Sequence, residues 1–230
     1  MFLQVPKNTR YEIKFVAYEH NYYSIINWIK LHELNFKREY KSRLVNNIYF
    51  DTHSYDLFKS NIYGDSSRVK MRYRWYNTMK ETTEGSFEIK FKRNLYGWKK
   101  KFKMNNIQLI NNSNWKVFCK SIIDNLPQKE KTLFKFSSSP KIINQYKRDY
   151  FISDDRSLRI TIDKNHSVYD QRYHSYPNLT KKTLTQRTVV MEFKFNRKDR
   201  LKIDKLMKNI PMRVSRNSKY VNSIRAVTGN

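Results

Sequence analysis

Arg68-Val69-Lys70-Met71-Arg72-Tyr73-Arg74-Trp75 carries a cation at every even position and an apolar side chain at every odd one. Successive side chains of a β-strand point to opposite faces, so this octet reads as a strand with one basic and one apolar face. Cations spaced roughly 7 Å apart along one face repel one another, whereas a merely solvated face mixes polar types. The row therefore points to an anion held against it.

The alternation recurs along the chain. Phe87-Glu88-Ile89-Lys90-Phe91-Lys92 and Arg10-Tyr11-Glu12-Ile13-Lys14-Phe15 set charged even positions against apolar odd ones, and Thr188-Val189-Val190-Met191-Glu192-Phe193-Lys194-Phe195 has a wholly apolar odd face and an even face that ends in Glu192 and Lys194. Lys99-Lys100-Lys101-Phe102-Lys103 is basic on both faces, and Lys99 and Lys101 are assigned to the charged side. Asn144, Tyr146 and Arg148 share one face of a further strand, as do Arg159, Thr161 and Asp163, with Asp163 read as a strand-end turn residue. At least seven strands thus present a charged face. Helical spacing of Tyr22, Ile25, Ile26 and Ile29, of Trp115, Phe118 and Ile122, and of Leu201, Leu206 and Ile210 supplies cover for the apolar faces. The expected fold is α+β: an antiparallel barrel closed around a polar lumen, with helices packed outside. Asn77 to Gly85 and Lys164 to Gln186 are expected as loops at its mouths.

With 230 residues and no Gly/Ser-rich linker or repeat, residues 1–230 are expected to form one domain. Large rings (17 Tyr, 14 Phe, 4 Trp) give a core despite the charge, which excludes a disordered chain. The 47 Lys and Arg against 20 Asp and Glu leave a net charge of +27, a field that attracts polyanions. Cys119 is the single cysteine, which excludes an intrachain disulfide and a cysteine-based zinc site, and its helical setting reads as a packed thiol. The five histidines show no metal-ligand spacing. The start lacks the apolar core of a signal peptide and no run approaches the roughly 18 apolar residues of a membrane span, so a cytoplasmic protein is expected.

Seven short motifs, in order, resemble the vacuolar transporter chaperone (VTC) domain of the triphosphate tunnel metalloenzyme (CYTH-like) superfamily. They are Arg10-Tyr11-Glu12-Ile13-Lys14, Asn47-Ile48-Tyr49-Phe50-Asp51, Lys70-Met71-Arg72-Tyr73-Arg74, Phe87-Glu88-Ile89-Lys90, Tyr146-Lys147-Arg148, Met191-Glu192-Phe193-Lys194 and Ser218-Lys219-Tyr220. The resemblance implies a tunnel-enclosing barrel and an enzyme that makes polyphosphate from ATP with Mn²⁺ or Mg²⁺. By motif it assigns phosphate binding to Lys14, Arg72, Arg74, Lys90, Arg148 and Lys219, and the metal to Glu192. Lys99, Lys101 and Arg159 match less closely. Arg10 stands where the superfamily's opening Glu-x-Glu-x-Lys has its first Glu, a departure that fits the VTC branch better than its hydrolases.

Phosphoryl transfer needs positioning and charge neutralisation more than covalent chemistry. Lys14, Arg72 and Arg74 are assigned to the reacting phosphate, with Lys70, Lys90, Lys99, Lys101, Tyr146, Arg148, Arg159, Lys194 and Lys219 along the phosphate chain. Glu192 is placed at the metal with Glu12 and Glu88 as helpers, or each of the three pairs with a neighbouring cation on its own face. Two alternatives stay open: a triphosphatase of the same fold and a noncatalytic polyanion or nucleic-acid binder. Base stacking needs rings on the charged face, whereas Tyr73, Trp75, Phe87, Phe91, Phe193 and Phe195 fall on the other, so no specific nucleic-acid partner is expected.

Overall fold

The computed structural model describes residues 10–78, 84–94, 96–105, 107, 114–196, 199, 203, 206–207 and 210–229. In chain order these form β1 (Arg10–Tyr18), a single 3-10 turn, α1 (Tyr22–Leu31), β2 (Lys37–Asp51), α2 (Asp56–Tyr63), β3 (Ser67–Tyr76), β4 (Glu84–Arg93) and β5 (Tyr96–Asn105). There follow α3 (Trp115–Asp124), α4 (Gln128–Phe136), β6 (Ser139–Ile152), β7 (Leu158–Asp170), β8 (Lys182–Thr183), β9 (Thr188–Asn196), β10 (Arg213–Val214) and α5 (Lys219–Thr228). No helix among the described residues is long and apolar enough to cross a membrane.

Strand pairing follows the order β10-β1-β9-β7-β6-β2-β3-β4-β5, with β8 added to β7. The fold is thus α+β and mainly antiparallel. Among the described residues no hydrogen-bonded pairing joins β5 to the β10-β1 end, so the sheet is not closed by hydrogen bonds. The loop expected from Lys164 begins only after Asp170. β7 continues through that stretch because Val168 and Tyr169 are buried and pair with Thr183 and Lys182. The last two residues of the loop expected at Asn77 to Gly85 belong to β4, and residues 79–83 within it lie outside the described residues.

The chain divides into two compact units. Unit 1 comprises residues 1–43, 146–166 and 186–218, and unit 2 comprises 44–145, 167–185 and 219–230. In unit 1, Ile25, Ile26 and Ile29 of α1 bury against the odd faces of β1 and β9 (Phe15, Val189, Met191, Phe193, Phe195) and against Leu158, Ile160 and Ile162. Each such side chain contributes roughly 1.5–3 kcal/mol of burial. Leu206 and Ile210 join this core as the helical spacing predicts, while Leu201 lies outside the described residues.

In unit 2 the odd faces of β3 and β4 meet α3 and α4. Phe87 packs edge-on against Phe134 at 4.6 Å, and Tyr73 against Phe118 at 5.2 Å. α3 begins where the Asn114 side chain accepts the Val117 N–H at 3.0 Å, an N-cap. Gly85 is required beneath Tyr73, since a Cβ there would sit 2.2 Å from the phenol oxygen. Asp51 ends β2 by accepting the Leu57 and Phe58 N–H groups at 2.9 Å each, which starts α2.

Candidate anion-binding faces

The registers of β3, β4 and β5 set the polar face of unit 2. Lys70 stands opposite Lys90, and Lys90 opposite Lys99. In the next row Arg72 stands opposite Glu88 and Glu88 opposite Lys101, and in the third Arg74 opposite Ser86 and Ser86 opposite Lys103. Pairing odd positions of β5 with even ones of β4 puts Lys99 and Lys101 on the charged face. Lys100 points to the helix side, where it pairs with Glu130 of α4 at 2.5 Å. Like charges directly opposite each other destabilise a sheet, and three lysines in one row call for an anion.

Arg72 and Arg74 are held rather than free to swing. Arg72 donates Nε (2.9 Å) and Nη2 (2.5 Å) to Glu88 Oε2, and its Nη1 to the Tyr49 hydroxyl at 3.4 Å. Lys99 donates to the other Glu88 oxygen at 3.0 Å. Burial raises the Glu88 pKa, but Arg72, Arg74 and Lys99 outweigh it and hold the carboxyl well below its usual range. Arg74 donates Nε to Asn47 Oδ1 at 2.8 Å, and Asn47 in turn donates to Asn144 Oδ1 at 2.9 Å. Lys219 heads α5. The next residue, Tyr220, stacks on Tyr49 at 5.2 Å and donates its hydroxyl to Asp51 at 2.5 Å.

Unit 1 presents a second face, on which charges alternate. Lys14 stands opposite Glu192 and Glu12 opposite Lys194, while ion pairs of 2.9 Å run along each strand between Glu12 and Lys14 and between Glu192 and Lys194. Lys14 also donates to the Asn217 carbonyl at 3.2 Å. On β7, Thr161 faces Glu192 and Arg159 faces Lys194. Arg159 pairs with Glu39 at 3.3 Å. Arg148 makes a two-pronged bond to Asp163 and lies 5.3 Å from the centre of the buried Tyr146 ring. Asp163 is therefore an interior strand residue that fixes an arginine, not the strand-end turn residue expected. Position alone suggests a turn there only if β7 stops at Asp163, and it does not.

The structure thus gathers Lys70, Arg72, Arg74, Glu88, Lys90, Lys99 and Lys101 on one face of unit 2, and Glu12, Lys14, Tyr146, Arg148, Arg159, Glu192 and Lys194 on one face of unit 1. Among the described residues no three His, Cys, Asp or Glu side chains cluster. A divalent ion carried on phosphate needs only one or two carboxylates, and Glu12 and Glu192 stand diagonally across β1 and β9. Thr161 Oγ1, opposite Glu192, is buried with no hydrogen-bond partner, an oxygen left over beside that pair. These residues fit such an ion. Glu88 instead spends both oxygens on Arg72 and Lys99. Sequence reading assigned no role to Asn47, Tyr49, Glu39, Arg43 or Asp51. The signal available for Asn47 was a pair of asparagines, Asn46 and Asn47, inside an otherwise apolar run at the end of β2.

These features define a mainly antiparallel α+β protein with a cationic face in unit 2 and a face of alternating charges in unit 1. The family model of the VTC domain matches residues 9–228, and the chain belongs to that family. No curated protein sequence matches it. Among solved structures it is similar to a candidate adenylate cyclase from Vibrio parahaemolyticus, with a TM-score of 0.51 and 9% identity over 94% of this chain and 97% of that one. It is also similar to the PH1819 protein of Pyrococcus horikoshii OT3, with a TM-score of 0.44 and 11% identity over 92% and 97%. A chain of the Schizosaccharomyces pombe Mediator head module gives a TM-score of 0.49 and 8% identity over 90% and 97%. At these identities the first likeness is one of fold alone.

Proposed function

We propose that this protein is a cytoplasmic polyphosphate polymerase that transfers the terminal phosphate of ATP to a growing phosphate chain inside a closed tunnel. The observation that carries the reading is the cross-strand row Lys70, Lys90 and Lys99, followed by the fixed Arg72 and Arg74, in a chain of the VTC family. A row of like charges is costly without a polyanion and favourable with one.

In the proposed reaction a terminal phosphate oxygen of the chain attacks the γ-phosphorus of ATP. The bond from that phosphorus to the β–γ bridging oxygen breaks, and ADP leaves with the electron pair. Arg72, Arg74 and Lys14 neutralise the charge spread over the equatorial oxygens, Arg through forked contacts and Lys as a point charge. Glu88 keeps Arg72 in place, so little reorganisation accompanies transfer. Lys70, Lys90, Lys99, Lys101, Tyr146, Arg148, Arg159, Lys194 and Lys219 hold the chain. Glu192 and Glu12, with Thr161 beside them, would hold Mn²⁺ or Mg²⁺, which when bound screens phosphate charge. A phosphate nucleophile requires no general base, and none is assigned.

Purified protein given ATP and Mn²⁺ tests this. A ladder of phosphate chains on a gel, with ADP, is the expected result. Free phosphate without a ladder would make the protein a triphosphatase, and neither product would leave a polyanion binder.

A further inference from the structure

We infer that Tyr40 and Tyr150, braced by Arg43, form a stacking platform for the nucleobase of a nucleoside triphosphate at the open end of the unit 1 face. The inference rests on the polymerase reading and adds to it how a nucleotide is told from a bare phosphate chain.

Three observations carry it. First, the face grades from closed to open along β7: Asp163 is 0% exposed and Thr161 7%, while the Arg159 side chain is 49% exposed. Second, Tyr150 lies on that same face, two residues from Arg148 toward its open end. It alternates with Tyr146 and Arg148 along β6, and Arg148 is bonded to Asp163 of β7. The β6–β7 turn follows at once, closed by Ser153 N–H donating to the Leu158 carbonyl at 3.0 Å.

Third, an exposed ring and a half-buried one there are braced. Tyr40 is 47% exposed and meets Tyr150 edge-on, centroids 5.6 Å apart at 89°. The Arg43 guanidinium lies 5.1 Å from the Tyr40 centroid and 5.8 Å from that of Tyr150. A cation against one side of a ring polarises and orients it, leaving area to stack on.

The apolar odd faces of the sheet bury their rings, whereas Tyr40 sets exposed aromatic surface beside the charged face of unit 1. A triphosphate drawn toward Lys14 and Arg148 past Arg159 and Lys194 would leave its base beside Tyr40. Stacking tolerates every base, so purine nucleotides are the favoured class, through ring area rather than hydrogen-bond readout.

The test is calorimetric binding of a non-hydrolysable ATP analogue and of inorganic tripolyphosphate to the wild type, Tyr40→Ala and Tyr40→Phe. Tyr40→Ala should weaken the nucleotide about tenfold, the size expected for one lost base–ring stack. It should leave tripolyphosphate unchanged, and Tyr40→Phe should bind both normally. Nucleotide affinity indifferent to Tyr40→Ala, or an equal loss for both ligands, overturns the platform alone. If tripolyphosphate fails to bind the wild type while the nucleotide binds through Tyr40, the platform stands and the phosphate reading falls. If neither ligand binds, both fall.

Discussion

Arg148 and Asp163 face each other across β6 and β7 in a parallel two-bond pair, Nε to Oδ1 at 2.5 Å and Nη2 to Oδ2 at 2.7 Å. Asp163 is fully buried and Arg148 nearly so, and both would be costly alone. Burial works against the arginine's charge, but Asp163 outweighs it and pushes the pKa above its ordinary value. Asp163→Asn should therefore destabilise the protein by about 3–5 kcal/mol, because an arginine is left without its counter-charge. The double variant Arg148→Met/Asp163→Leu should be markedly more stable than Asp163→Asn, since it removes both desolvated charges. Urea unfolding of the three proteins checks the order.

Glu88 gives a pH dependence with a definite sign. Its folded-state pKa lies below the unfolded value, so its contribution is complete at neutral pH. The contribution begins to fall as pH drops through the unfolded value of about 4.3 and is lost through the depressed folded one. Glu88→Gln should thus be less stable than wild type at pH 7, and the gap should shrink steadily below about pH 5. Unfolding midpoints at several acidic pH values measure it, and a gap that widens with acid would refute the assignment.

Cys119 is packed in α3, where its thiol donates to the Ser138 carbonyl at 3.3 Å and burial pushes its pKa up to about 12. At pH 8 its thiolate fraction is roughly a thousandfold below that of a free cysteine near 8.5. An aromatic disulfide reagent should leave the native thiol nearly untouched and titrate one thiol in urea.

Tyr220 ties the start of α5 to Asp51 and, through its stack on Tyr49, to a hydrogen-bond partner of Arg72. Tyr220→Phe keeps the stack and deletes the bond to a carboxylate, so it should cost about 1.5–3 kcal/mol. Because Lys219 precedes it, triphosphate affinity should also fall, whereas exposed Tyr23→Phe in α1 should change neither. Thermal melts with calorimetry separate the two effects.

The strands were legible because period-2 alternation is a local property. Val69, Met71, Tyr73 and Trp75 need one face dry and Arg68 to Arg74 need the other wet, whatever lies beyond. β7 past Asp163 was not legible, because Lys164, Asn165 and His166 interrupt the alternation and the adjacent, buried Val168 and Tyr169 do not restore it. The charged faces followed from the same alternation, but the partner of each charge did not. The pairs Glu12–Lys14 and Glu192–Lys194 lie two residues apart on one strand and are local, but nothing local says that Glu88 serves Arg72 and Lys99, since register decides that. Arg43 and Tyr40 were missed for a related reason. The first half of β2 has no apolar face to read, being largely exposed from Lys37 to Arg43.

Thr161 supplies the sharpest test of the proposed metal position. Its hydroxyl is buried without a partner, directly across from Glu192. An unsatisfied buried hydroxyl costs about 1–3 kcal/mol, so replacing it with the near-isosteric valine should leave the ligand-free protein as stable as wild type or more so. If the oxygen serves only the fold, turnover should be untouched as well. If it completes the ligand field beside Glu192 and Glu12, Thr161→Val should raise the Mn²⁺ concentration needed for half-maximal polyphosphate synthesis, while Thr161→Ser, which keeps the oxygen, should restore it. Stability rising while metal demand also rises is an outcome that a packing defect cannot produce, because a packing defect lowers stability. Paired measurements on the three proteins, melting temperature without ligand and synthesis rate against Mn²⁺, decide between these cases. A valine variant with unaltered metal demand would leave Glu192 and Glu12 without the third oxygen assigned here.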